Sequence, residues 1–584
     1  MTRSPRLLLA LAAVAVAFAA ADTYVVVLAL PDMMGSVGIP IDQLQRAAPI
    51  VSGFLLGYVA MLPLIGRIAD LRGRVPVLVV ALAVFALGSL VTALAYDMPT
   101  LVSGRFLQGV GGGGLVPATL ALVADLYPVE RRGVPLGVVS AVQELGSVIG
   151  PLFGALVLAV ADWRAIFLVN LAVGLVLAAA IRDLGGRAAS AGERIETRGR
   201  FDYLGLLLAL VTLLTGALVF VEPSQLMRDL TWGQLFIPVV GDGRWLTPLG
   251  LVAIGALLLL VLRCATARRP LFDVVDWVRS MREADVVGAL LLALALAGVI
   301  LAFATADPKV QVFSDQGLWY LLGSALATIA FVLHLRRSAA PLVPRGALRR
   351  TPAWGSMLVS FFIGAALIAA LIDIPLFART TVYASSQLMA ALVLVRFLVA
   401  LPVGAVVGGF LTRSLPVGVV TAIGMFLAAA AFLLMTRWGI DSIDDVSATL
   451  PLLLGGFGFG LALAPVNAAV LASTDDDVHG LASAFVVVAR MVGMLVGISA
   501  LTTIGLRRYY AEQADLPTAR EVCEGKTRCA EFTDLLQVAG IAQEHTVFTG
   551  AAVCAAVAGV LALVLFRTAA TRSVATGDLL RSSG

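Results

Sequence analysis

Apolar runs, each about 20 residues long, recur along the whole chain and constrain its fold more than any other feature. Unpaired backbone groups are costly in lipid, so only helices and closed barrels span membranes. Barrel strands would alternate apolar with polar residues, and these runs do not alternate. Hydrophobic residues make up 60% of the sequence and charged residues 13%. We therefore predict an all-α polytopic membrane protein.

The apolar runs predict about 16 spans, grouped by the polar segments between them. A first six-helix bundle occupies 1–183, and a charged cytoplasmic linker follows at 184–200. Four more spans lie within 201–338, and a last six-helix bundle occupies 339–584. A polar excursion at about 507–547 interrupts this last bundle. An even number of inserted spans leaves the two bundles in one orientation, as two halves of one unit require.

The four middle spans look like a duplicated helical hairpin. The segment FDYLG at 201–205 opens one apolar run, and EADVVG at 283–288 opens a later one. The two units also end alike, with ARRPL at 267–271 and SAAPL at 338–342. Similarity in a fixed order favours repetition. The general likeness of apolar helices to one another is the alternative.

Basic residues cluster in alternate loops between the predicted spans. The clusters lie at 67–74, 131–132, 182–200, 263–282 and 336–350. This asymmetry is typical of a bacterial inner (plasma) membrane protein with both termini in the cytoplasm. A nucleic-acid-binding protein would carry its basic residues on one solvated face, so we expect no nucleic-acid partner.

The N-terminus imitates a secretory signal, with Arg3 and Arg6 ahead of an apolar run. Because the apolar stretch resumes at 24–30, we predict one retained span at 7–30, with cleavage as the alternative.

The polar excursion at 507–547 holds two neighbouring cysteines, Cys523 and Cys529. The predicted topology places them outside, where oxidation is permitted, and a local disulfide and two free thiols are both open. Two helices that extend beyond the bilayer and are joined by a disulfide-bridged turn would explain this polar segment. An ordinary periplasmic loop is the alternative.

No catalytic, nucleotide or metal site stands out in the sequence. Gly109, Gly111 and Gly114 fit G-x-G-x-x-G, but no strand precedes them and no P-loop lysine follows. Inside a span, glycines let helices approach closely. The three histidines are far apart in sequence: His334, His479 and His545. We predict no enzyme, cofactor or metal.

Three motifs in the first half resemble those of the major facilitator superfamily. GRIADLRGR at 66–74 resembles its cytoplasmic loop signature, RFLQG at 105–109 its fourth-helix motif, and GSVIGP at 146–151 with Gly154 its antiporter motif. The pairs at 22–23 and 163–164 look like the drug:proton antiporter branch, which has extra linker helices. The resemblance implies two six-helix bundles that alternate access to a central site.

Three further segments are similar to mycobacterial exporters of triacylglycerol-type lipids that work beside a periplasmic lipoprotein. They are SVGIP at 36–40, QELG at 143–146 and VVARM at 487–491. The doubled hairpin departs from the usual two linker helices, which leaves the substrate identity open.

Ionisable residues inside spans are expensive and therefore functional candidates. Asp22 and Glu144 are candidate proton carriers, because desolvation favours the neutral form of a carboxyl group. The alternatives are a structural carboxylate for Asp22 and a partner for a buried arginine for Glu144.

Arg105, Arg396 and Arg490 are the arginines that we place within spans, and two acids are too few to pair with all three. Arg105 resembles the superfamily's arginine near the proton site, and Arg490 is the best candidate for a cross-bundle ion pair. Arg396 fits equally well as a helix-end residue that reaches the interface. Asp373, near the outer end of its span, is similarly ambiguous.

The resemblance also assigns two mechanical motifs. We predict that a conformational latch forms from Gly66, Asp70, Arg72, Gly73 and Arg74, whose charges pair with neighbouring helix ends. The antiporter motif comprises Gly146, Gly150, Pro151 and Gly154, and the four-residue spacing of its three glycines predicts a helix-packing face.

Together with the buried acids, the resemblance implies a proton-coupled secondary transporter that exports a triacylglycerol-like lipid or another highly apolar substrate. We expect a monomer whose partners are the substrate, protons and, by resemblance, a periplasmic lipoprotein. The first alternative is a multidrug:proton antiporter for small amphipathic compounds, and the second is a transporter-like sensor or scaffold.

Overall fold

The computed structural model describes residues 3–39, 44–190, 202–240, 243–267, 273–304, 316–383, 386–523, 529–569 and 571. Every regular element within these ranges is a helix, and fifteen helices are long and apolar enough to cross a membrane. A further helix at Gly133–Val160 has 28 residues and a single charged residue, Glu144. The prediction of an all-α polytopic protein is therefore confirmed.

The first bundle consists of α1 (Arg3–Ser36), α2 (Leu44–Arg72), α3 (Arg74–Ala93), α4 (Met98–Leu126), α5 (Gly133–Val160) and α6 (Arg164–Ser190). Helix α4 packs against α2 and α3, and α1 packs against α5. The predicted linker at 184–200 begins as helix, because α6 continues to Ser190; residues 191–200 lie outside the described ranges.

The inserted region consists of α7 (Tyr203–Val221), α8 (Ser224–Met227), α9 (Pro248–Thr266), α10 (Val274–Glu283), α11 (Val286–Ala304) and α12 (Gly317–Arg337). Helix α7 pairs with α9, and α11 pairs with α12.

The two inserted helix pairs are each held together by an equivalent aspartate contact. Asp202 accepts a hydrogen bond from the Gly205 N–H at 3.0 Å and forms an ion pair with Arg263 at 3.2 Å. Asp285 accepts from the Gly288 N–H at 3.0 Å, and its Oδ1 lies 2.7 Å from Nε2 of His334. An N-cap aspartate thus joins the start of one helix to the end of its partner in both units, which supports the predicted duplication.

The last bundle consists of α13 (Thr351–Thr380), α14 (Gln387–Leu411), α15 (Val417–Met435), α16 (Thr449–Ala472), α17 (His479–Ala514), α18 (Ala519–Val522) and α19 (Ala530–Leu565). Helices α17 and α19 have 36 residues each, about 54 Å at 1.5 Å per residue, against about 30 Å of hydrocarbon. A disulfide joins Cys523 to Cys529 between them. Most of the 507–547 excursion is therefore helical.

Two seams join the bundles, α2 against α17 and α5 against α14. A Cβ on Gly66 would lie 2.6 Å from the Gly480 carbonyl oxygen, and a Cβ on Gly409 would lie 2.4 Å from that of Gly133. Both close contacts occur at the helix ends on the side of the 66–74 motif, which we call the latch side. The bundles are closed on this side. Helix α11 packs against both α2 and α17 along the first seam.

Candidate functional site

Asp22 lies in the middle of α1 and has 1% of its surface exposed. Its Oδ2 accepts a hydrogen bond from NH1 of Arg105 at 2.6 Å, and the two residues form an ion pair. Its Oδ1 accepts from Nδ2 of Asn170 at 2.5 Å and from Nε2 of Gln108 at 3.4 Å. Helices α1, α4 and α6 therefore meet at one carboxylate. Hydrogen bonds to an ionised acceptor are about twice as strong as neutral ones.

Arg105 is as buried as its partner, with 1% exposed. Its NH1 also donates to Oε1 of Gln108 at 2.9 Å, and its guanidinium carbon lies 4.5 Å from the ring centroid of Phe54. Gln108 in turn donates to Oγ of Ser89 at 2.9 Å, which brings α3 into the network. Arginine side chains stay protonated in proteins, so a proton on Asp22 would remove only the negative charge of this pair.

The glycines of the antiporter motif bring α5 against α1 beside this carboxylate. A Cβ on Gly146 would lie 2.2 Å from the Ala17 carbonyl oxygen, and one on Gly150 would lie 2.5 Å from that of Ala21. Gly154 is buried further along α5, and the side chain of Pro151 lies outside the described part. The motif acts here through close helix packing.

Glu144 on α5 and Arg490 on α17 face one another across the interface between the bundles. The positive charge of Arg490 lies near enough to act on the carboxyl group of Glu144. Both charges also act on the hydroxyl of Tyr58 on α2. Arg490 has 9% of its surface exposed. The three side chains form a polar cluster at the interface between the bundles.

The latch motif lies in the last turns of α2, which corrects its placement in a loop. The helix continues to Arg72, and Gly73 separates it from α3 with a φ of +88°. A positive φ of this kind favours glycine, since a side chain there would be strained.

Asp70 crosses from the first bundle to the second. Its Oδ1 accepts from the Gly480 N–H at 2.7 Å and its Oδ2 from the Leu481 N–H at 2.9 Å. These amides belong to the first turn of α17, where the helix dipole favours a negative charge. NH1 of Arg74 lies 2.8 Å from the same carboxylate. The predicted latch therefore has a partner, the N-terminus of α17.

Arg72 points away from this contact, toward the inserted region. Its Nε donates to Oγ of Ser280 at 2.6 Å, and its NH2 forms an ion pair with Asp276. Its guanidinium carbon also lies 4.8 Å from the ring centroid of Trp277. All three partners belong to α10, which the sequence analysis had left as part of a basic loop.

Arg396 and Asp373 lie apart from the sites above. NH1 of Arg396, in the first half of α14, donates to Oγ1 of Thr449 at 3.3 Å, at the start of α16. Asp373 is buried in α13 and lies within hydrogen-bonding reach of Glu544 in α19.

The roles of Gln108, Asn170, Tyr58 and Glu544 were not predicted from the sequence. Gln108 belongs to the fourth-helix motif, and the polarity of Gln108 and Asn170 inside spans was a usable signal. Glu544 lay in the excursion expected outside the membrane, so its burial could not be anticipated. Among the described residues, no group of three or more His, Cys, Asp or Glu side chains is arranged to hold a metal ion.

Comparisons with known proteins agree with this architecture. Residues 12–336 match the family model described as Major Facilitator Superfamily. The triacylglyceride transporter of Mycolicibacterium hassiacum is 35% identical over 520 residues, which cover 86% of this chain and 81% of that protein. The triacylglyceride transporter of Mycobacteroides abscessus is 35% identical over 532 residues, which cover 89% and 86%.

The fold is also similar to a solved structure. The crystal structure of the human organic anion transporter MFSD10 (TETRAN) aligns with a TM-score of 0.53 at 14% identity, covering 96% of this chain and 100% of that one. At this identity the likeness concerns the fold alone.

Proposed function

The chain belongs to the major facilitator superfamily and is a multi-pass secondary transporter, and from this premise we propose that it exports a triacylglycerol-like lipid in exchange for protons. The bacterial inner membrane is the proposed location, with both termini and the latch side in the cytoplasm.

The observation that carries the proposal is the buried contact between Asp22 and Arg105. An ionised Asp22 holds α1, α4 and α6 together through the donors of Arg105, Gln108 and Asn170. A proton on Asp22 would cancel its charge and weaken each of these bonds, while Arg105 would stay charged. Binding and release of one proton therefore shift the packing of three helices.

Glu144 and Arg490 extend this coupling to the second bundle. Their charges attract each other across the interface, so protonation of Glu144 removes an attraction between the halves. Each charge that moves through 100 mV supplies about 2.3 kcal/mol. One or two protons therefore suffice to drive a useful concentration ratio of an uncharged lipid.

The relatives named as triacylglyceride transporters support the choice of substrate, because each aligns over most of its length. The long helices α17 and α19 support it further. About 24 Å of each exceeds the hydrocarbon thickness, on the side opposite the latch. Such an extension suits the transfer of a water-insoluble lipid to a periplasmic lipoprotein.

The test is transport in proteoliposomes loaded with either labelled triacylglycerol or a cationic dye. We expect a pH gradient to accelerate lipid movement at least tenfold over a D22N variant in the same vesicles. Accelerated movement of the dye without the lipid would support multidrug antiport instead. Specific partner capture without flux of either compound would support a sensor or scaffold.

A further inference from the structure

A second pair of buried acids lies in the last bundle, away from Asp22 and Glu144. Asp373 on α13 has 4% of its surface exposed, and Glu544 on α19 has 1%. The two carboxyl groups are within hydrogen-bonding reach of each other. Asp373 lies seven residues before the end of α13 at Thr380, on the side opposite the latch.

Basic side chains on the surrounding elements have other partners or are exposed. His545 on α19 contacts the Trp438 carbonyl oxygen through Nε2 at 2.8 Å, and Arg396 on α14 donates to Thr449. On α17, Arg508 forms an ion pair with Glu512 at 2.5 Å. The remaining nearby arginines are exposed: Arg379 on α13 and Arg507 on α17. Helices α15 and α16 carry no charged residue.

One oxygen of the pair lacks a donor. Oε1 of Glu544 accepts from Nε2 of Gln543 at 3.2 Å, whereas Oε2 is buried without a hydrogen-bond partner among the described residues. Two carboxylates in contact cannot both ionise, because their charges repel and no basic side chain in the described part of the chain pairs with them. A hydrogen atom between the carboxyl groups would supply the missing donor and remove one charge.

We propose that Asp373 and Glu544 share one proton and form a second proton-binding site, located in the last bundle. The binding of this proton follows from the geometry of the pair, whereas its use in transport rests on the proposed function. Loss of the shared proton leaves two adjacent negative charges on α13 and α19. The pair therefore keeps these helices together while it is protonated and drives them apart when it is not.

Infrared spectroscopy of the purified protein tests the proposal, because a protonated carboxyl group has a C=O stretching band that a carboxylate lacks. The spectrum of the wild type is compared with that of D373N/E544Q, and E531Q, an exposed position on the same helix, serves as the matched control. We expect the double variant to lose the intensity of one carboxylic acid, and E531Q to lose none. Should the double variant fail to fold, E544Q alone replaces the protonated carboxyl with an amide donor and removes the same band.

An unchanged spectrum in D373N/E544Q would overturn the proposal, and so would the loss of two carboxylic acids. Disappearance of the wild-type band on addition of sodium at constant pH would identify a cation site instead. These outcomes are independent of transport, so a protein that moves neither lipid nor dye would refute the proposed function and leave the proton site standing.

Discussion

The carboxylate of Asp70, at the end of α2, accepts a hydrogen bond at 2.9 Å from the backbone N–H of Leu481, in the first turn of α17. This contact joins the two bundles at the latch side. Because its acceptor is a side chain and its donor is the end of a helix, it can break without disturbing either helix. We therefore expect it to stabilise one conformation of the transporter rather than the fold.

Replacing Asp70 with Asn should open the latch side. A hydrogen bond to a charged group contributes about 1.5–3 kcal/mol, so the ratio of open to closed protein should rise roughly tenfold or more. The measurement is the rate at which a polar maleimide reaches a cysteine at Ser483, which is fully buried here. Cys264 and Cys554 are first replaced with serine in this protein.

The matched control is D125N, because Asp125 also contacts Arg74, at 3.4 Å, but is half-exposed and does not cross to α17. We expect D125N to label at the background rate. Equal labelling of D70N and D125N would contradict the latch.

Substitutions at Asp22 should separate proton coupling from stability. In D22N the amide oxygen still accepts from Arg105, and its NH2 group can donate to a flipped Asn170 amide. The variant should therefore fold and bind substrate but lose the response of transport to a pH gradient. D22L leaves Arg105 buried without a counter-charge and should destabilise the protein by about 3–5 kcal/mol. Thermal unfolding of the purified variants and gradient-driven flux give the two readouts. Gradient-driven flux at the wild-type rate in D22N would exclude Asp22 from the coupling.

The interaction between Glu144 and Arg490 should appear in a double-mutant cycle. If each residue acts through the other, then E144Q, R490Q and E144Q/R490Q should reduce pH-driven flux to the same level. Residues that act independently would instead show additive losses in the logarithm of the rate. T449V, on α16 at the far end of the bundle, serves as the control and should retain wild-type flux.

Much of the first half was predictable because its motifs combine charge with glycine inside apolar runs. Asp22, Arg105 and Asp70 stand out in the sequence, since each is expensive to bury. Their partners were harder to predict. The backbone amides of Gly480 and Leu481 carry no side-chain signal, and the contact that they make spans about 410 residues of sequence.

The second half was less predictable, because whether a residue lies inside a membrane span depends on where its helix begins and ends. Glu544 was assigned to the outside because polar residues surround it, but α19 continues through this segment as one helix. Helix α10 was missed for a related reason. Its basic residues fitted a topogenic loop, although Asp273 caps its first turn through the Asp276 N–H at 3.1 Å.

Helix α10 should act as a second restraint on the latch, since Trp277 and Asp276 hold Arg72 at the end of α2. An interaction between a guanidinium and an aromatic ring contributes about 0.5–2 kcal/mol, so W277A should raise labelling of a cysteine at Ser483 by roughly two- to thirtyfold. The combination W277A/D70N should label faster than either single variant, because the two restraints act on opposite sides of the same helix end. R279Q is the control, because Arg279 also contacts Asp276 but is exposed and does not touch α2. If W277A labels at the same rate as R279Q, then the contact between α10 and Arg72 does not restrain the latch.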